Sequence, residues 1–173
     1  MLTQSFRVAS ERQVACAALL VTACILAGCG GSGAKEQPAQ SLRGSGFSFD
    51  APAGWRVERS SRRVTAVNGA ELLQVGAFPL LKPYTDSLFA KVEKELAARM
   101  QQIAAQSGGS VSGPSTVTAD GIRAHSYAVK AGDTVDEYTF VLRGRHEFQL
   151  LCRRRAASSG DTCKQLLASF AIA

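Results

Sequence analysis

Two histidines, one adjacent pair of carboxylates and a late pair of cysteines are the side chains through which this 173-residue chain could do chemistry. His125 alternates with Arg123, Tyr127 and Val129, and His146 follows Gly144-Arg145 and precedes Glu147. A general base needs an activated nucleophile within hydrogen-bond reach, and no serine or cysteine arrangement near either histidine marks one. Both are therefore read as structural or surface residues, with a hydrolase built on His125 or His146 as the lesser alternative. Asp136-Glu137 would place one carboxylate on each face of a strand, which rules out joint acid and base work. The glycine-rich runs at Gly28 to Gly33 and at Ser107 to Ser110 lack the lysine and the strand-to-helix setting of a phosphate-cradling loop. Cys152 and Cys163 have no C-x-x-C spacing and no His or Cys partners for a closed zinc site. No catalytic residue, metal or cofactor is expected, and the chain is read as a non-enzyme.

Five cysteines leave an orphan unless they are sorted by position. Cys16 and Cys24 lie in the uncharged run Val14 to Ala27, behind Arg7 and Arg12, which is the pattern of a secretory signal. The run is too short to span a hydrocarbon core, which takes roughly 20 helical residues, so residues 1–28 are expected to be cleaved. Leu26-Ala27-Gly28-Cys29 resembles the lipobox of bacterial lipoproteins. That resemblance implies that the Cys29 thiol carries diacylglycerol and becomes the first mature residue. Two acyl chains at about 0.8 kcal/mol per buried CH₂ make a stable membrane anchor. The expected location is the extracytoplasmic cell envelope, on the plasma membrane or on an outer membrane where the cell has one. Only Cys152 and Cys163 then remain, and an oxidising compartment favours one disulfide between them. Strand alternation through Phe148, Leu150 and Cys152, and helical spacing of Cys163, Leu166, Leu167 and Phe170, point both sulfurs into one core.

The positive charge survives removal of the signal. Two of the 20 Lys+Arg and one of the 14 Asp+Glu lie in residues 1–28, leaving 18 against 13. Export takes nucleic acid away as a partner. An anionic lipid surface or wall polymer is the accessible counter-charge, and each well-placed cation near a membrane contributes about 1 kcal/mol. Arg62, Arg63, Arg153, Arg154 and Arg155 are the candidate contacts, against the plainer reading that they keep the domain soluble.

The elements that must position these groups follow from periodicity. Residues 29–46, a Gly/Ser-rich stretch after the lipidated cysteine, read as a flexible tether. Residues 47–173 read as one domain. Short strands surround Ala51-Pro52-Ala53-Gly54, and Val64 to Phe78 reads as a hairpin about Asn68-Gly69. Leu88, Phe89, Val92, Leu96, Met100 and Ile103 give a helix over 86–107, with Glu95 and Arg99 forming an i,i+4 pair on a solvated face. After Pro114, period-two strands return at 115–119, 122–130, 135–143 and 146–153, and a helix covers 161–170. The class is α+β, a mainly antiparallel sheet with helices packed against it.

This order resembles the PsbP-like or Mog-type α/β/α sandwich, which includes small bacterial lipoproteins of the DcrB and LpqN kind. The likeness rests on Gly46 to Trp55, on Asp120-Gly121-Ile122, and on Phe148 to Cys152 followed by Leu166 to Phe170. It implies a fold and no catalytic residues. The expected function is a non-enzymatic binding or accessory domain, with an envelope protein or a lipid ligand as partner. Any pocket is expected between the long helix and the sheet, beside Tyr127, Tyr138, Phe140 and Trp55.

Overall fold

The computed structural model describes residues 38–173; the expected signal segment and Cys29 lie outside them. The chain runs β1 (Ala39–Gly44), β2 (Phe47–Pro52), β3 (Arg56–Arg59), β4 (Arg63–Asn68), β5 (Glu71–Pro79), α1 (Phe89–Gln106), β6 (Ser110–Ala119), β7 (Ile122–Ala131), β8 (Thr134–Arg143), β9 (His146–Arg155), α2 (Asp161–Ser169) and β10 (Ala171–Ile172). Seven strands form one antiparallel sheet in the order β3-β4-β5-β9-β8-β7-β6, and β1-β2-β10 form a second. The α+β architecture expected from the sequence is the one observed.

Each face of the large sheet has its own cover. On one face α1 lays Leu96 and Met100 against Tyr127, Phe140 and Leu142. On the other, Phe47 and Phe49 of β2 and Cys163 and Leu166 of α2 pack with Val75, Val141, Phe148 and Leu150. The alternation of β7 to β9 therefore separates two apolar layers, one on each face of these strands.

Three sequence expectations are corrected. The tether does not extend to residue 46, because β1 pairs with β2 along its length and Leu42 is buried. The glycine read there as flexibility has a packing role: a Cβ on Gly44 would overlap the Phe47 ring. The strand after α1 starts at Ser110 rather than 115, and a register shift between Ser112 and Ser115 accommodates Pro114. That position is tolerable because β6 is an edge strand with a bulge, where a missing N–H breaks no ladder. Asn68 is the last ladder residue opposite Glu71, so the hairpin loop is Gly69-Ala70. Asp120-Gly121 does form the expected tight turn, with both residues at positive φ.

Candidate functional site

A hollow of about 360 Å³ lies by the last turn of α1, lined by Ile103, Ser107, Val129 and Thr134 and by none of the expected rings, while the space between the middle of α1 and the sheet is closed. Met100, Tyr127 and Phe140 fill it, and each is almost wholly buried. Tyr127 donates its hydroxyl to the Glu93 carbonyl at 3.0 Å, and its ring meets Phe140 edge to face. Trp55 belongs to the opposite layer. The expected aromatic wall is thus core, two rings of it fastened under the helix and the indole on the far side.

A cleft opens instead on the other face, beside α2. Its volume is about 240 Å³. The cause is visible on β7, where His125, Tyr127 and Val129 face α1 while the small Ala124, Ser126 and Ala128 face α2. Register lines up Ser115, Ser126, Thr139 and Leu150 in one row across four strands. The next row places Glu137 opposite Cys152. Three hydroxyls and a carboxylate thus line the cleft on this face among apolar neighbours, and Val117, Leu166 and Leu167 complete its wall.

The hydrogen bonding of this floor is partly used. Thr139 donates its hydroxyl to Ser126 Oγ at 3.3 Å, and Ser115 donates to the Ser126 carbonyl at 3.4 Å. Among the described residues nothing accepts the Ser126 hydroxyl proton. Glu137 Oε1 accepts from Arg154 Nε at 2.7 Å, and Lys164 at the rim pairs with Asp161 at 3.0 Å. Glu137 is therefore matched by a half-buried partner, the Lys164 pair lies in solvent, and the hydroxyls retain capacity.

The Cys152–Cys163 disulfide forms in the structure, with Cα atoms 5.4 Å apart, and lies in the cleft wall. It ties α2 to β9. At the other end of α2, Ser169 Oγ accepts from the Asp50 backbone N–H at 3.0 Å, and Phe170 packs edge-on against Phe148. A nine-residue helix is too short to hold together alone, so these attachments fix the roof of the cleft.

The candidate arginines do not form one patch. Arg153 makes a bidentate pair with Asp136, both bonds 2.7 Å, which raises its pKa further above the usual range. Arg154 is taken by Glu137 and by the carbonyls of Arg155 and Ser158, each at 3.3 Å. Arg62 and Arg63 sit at the start of β4, where the Arg63 guanidinium covers the Phe78 ring at 5.4 Å. Arg155 is exposed at the end of β9. Asp136 and Glu137 lie on opposite faces, as expected, because each pairs with a different neighbour on β9.

The histidines are also apart. His146 is exposed on β9, and β8 separates that strand from β7. His125 is wholly buried, stacked on Phe89 at 3.8 Å, with Nε2 donating to the Phe89 carbonyl at 3.2 Å. Nδ1 has no hydrogen-bond partner and lies 3.6 Å from Glu93 Oε2. Burial lowers its pKa against the pull of Glu93 and the Phe89 bond, so His125 acts as a neutral core residue. Glu93, read as part of a solvated helix face, is turned inward toward it. Arg99 leaves the expected Glu95 pair for Glu147 at 3.5 Å and covers Phe140.

The sequence reading missed Ser115, Ser126 and Thr139. Part of their signal was present: Ser126 and Thr139 stand at one parity of β7 and β8, where the opposite parity carries His125, Tyr127, Tyr138 and Phe140; β6 has no such contrast.

Among solved structures the chain is similar to the solution structure of cyanobacterial PsbP (CyanoP) from Synechocystis sp. PCC 6803, with TM-score 0.58 and 18% identity. The match covers 86% of this chain and 99% of that one, and shows a PsbP-like fold. A crystal structure from Bacteroides thetaiotaomicron VPI-5482 is similar at TM-score 0.49 and 12% identity, over 79% of this chain and 48% of that chain. The chain thus spans about half the length of that protein. No family model and no curated protein matches the sequence.

Proposed function

We propose that the chain is a lipid-anchored protein of the bacterial cell envelope whose PsbP-like domain is a non-enzymatic binding module. The anchor is Cys29, and the narrower likeness to lipoproteins of the DcrB and LpqN kind belongs to this proposal. The observation that carries the binding role is the row Ser115, Ser126 and Thr139 beneath α2, a polar floor that runs from the exposed edge strand at Ser115 through the half-buried Ser126 to the buried Thr139 and that a ligand would complete. The reactive groups nearby support a non-enzymatic reading, since Glu137 is held by Arg154 and both cysteines are bridged.

Metabolic labelling with a lipid precursor tests the anchor. Wild type takes up label and Cys29→Ser does not; equal labelling contradicts it. Membrane attachment makes an envelope component the natural partner, and nucleic acid is not one. Of the five candidate arginines, Arg62, Arg63 and Arg155 make no ion pair among the described residues and are the ones offered to an anionic surface.

A second reading, an accessory subunit of a larger envelope complex, is favoured by the face of β4 and β5. α1 covers β6, β7 and part of β8, and Thr65, Leu72, Gln74 and Phe78 of β4 and β5 on its side of the sheet are only half-buried. Crosslinking in the intact membrane separates the two. A stoichiometric protein attached through this face supports the accessory role, and its absence leaves the cleft as the working surface.

A further inference from the structure

We infer that the cleft beside α2 takes an alcohol-headed apolar molecule of about nine or ten non-hydrogen atoms, an inference that rests on the binding role proposed above. Size sets the first bound. An engineered apolar cavity of about 150 Å³ holds one benzene, so the 240 Å³ here admits a body roughly half as large again.

Charge sets the second. Glu137 is matched by Arg154, whereas Lys164 pairs with Asp161 in solvent at the rim. A carboxylate head would meet the Glu137 carboxylate and has no proton to give it, and an ammonium head has no lone pair to accept from Ser126 and would meet Lys164 at the rim.

Hydrogen bonding sets the third. The Ser126 proton has no acceptor among the described residues, and Glu137 accepts through one oxygen only. A hydroxyl is the smallest head that accepts from the first and donates to the second. Val117, Leu150, Leu166 and Leu167 then receive the apolar body, closed at one side by the disulfide.

The test titrates 1-octanol, octanoate and octylammonium into the full chain and follows backbone amide NMR signals. Octanol is expected to saturate shifts at Ser126, Thr139, Leu166 and Leu167, and the two charged homologues to bind at least tenfold more weakly. Removing the Ser126 hydroxyl costs one hydrogen bond, so Ser126→Ala weakens octanol about fivefold. Val117→Phe fills the space from the edge strand and abolishes the shifts; its own spectrum shows whether the domain is folded. Tighter binding of octanoate or octylammonium at these residues overturns the alcohol head and leaves a binding cleft. Absence of shifts there with all three probes overturns both the ligand class and the cleft as the binding surface.

Discussion

Breaking the Cys152–Cys163 bridge should destabilise the domain by an amount set mainly by loop length. The two cysteines are 11 residues apart, and closing so short a loop in the unfolded chain is worth about 3 kcal/mol in the chain-entropy account. With about 2.1 cal/mol/K of unfolding entropy per residue, a folded part of about 135 residues converts this to about 10 °C in Tm. The bridge acts locally as well. It fixes the first turn of α2, whereas Leu166, Phe170 and the Asp50 to Ser169 bond fix the last. Melting curves of oxidised and reduced protein, and of Cys152→Ser/Cys163→Ser, should fall together into a high and a low group. Hydrogen exchange should speed up at residues 161–164 before it does at 166–169. Coincident melting curves, or uniform exchange along α2, would refute the view that the disulfide holds the roof of the cleft.

Leu42→Ala should cost about 2–4 kcal/mol in a denaturant titration, since Leu42 is buried in β1; a tether at that position would give no change. Gly44→Ala should lower the same midpoint by about 1–3 kcal/mol through overlap with the Phe47 ring. Arg154→Ala should cost more than Arg153→Ala, by about 1 kcal/mol, because Arg154 also satisfies two loop carbonyls, while Arg153 is nearly half exposed and screened. Burial lowers the folded-state pKa of His125, so the unfolded chain takes up its proton first as pH falls. Its contribution is present above pH about 6.5 and is lost as pH drops from there toward the folded pKa, and His125→Gln should flatten that slope in pH-dependent unfolding.

Where periodicity was strong, the elements were legible. Leu96 and Met100 mark the buried side of α1, and the strict alternation of 122–153 marks three strands of the large sheet. The disulfide could be read because sorting the other cysteines left a single pair. β1 was hidden because one leucine among glycines and serines carries no period, and its stability comes from the backbone ladder with β2 and from a missing Cβ at Gly44. The cleft was hidden for a related reason. Ser126, Glu137 and Thr139 look like the solvent side of antiparallel strands, and only the placement of α2 turns that side into an interior. Glu93 and Arg99 were misplaced because helix spacing alone ignores β7 and β9, which offer them His125 and Glu147.

The claim that this domain is a binding module centred on the α2 cleft is tested most directly by native mass spectrometry of the protein released from its own membranes. Wild type should carry a small uncharged organic molecule at one copy per chain, and Val117→Phe, folded by its melting curve, should not. Identical masses of bound material in the two proteins, or none in either, would contradict it.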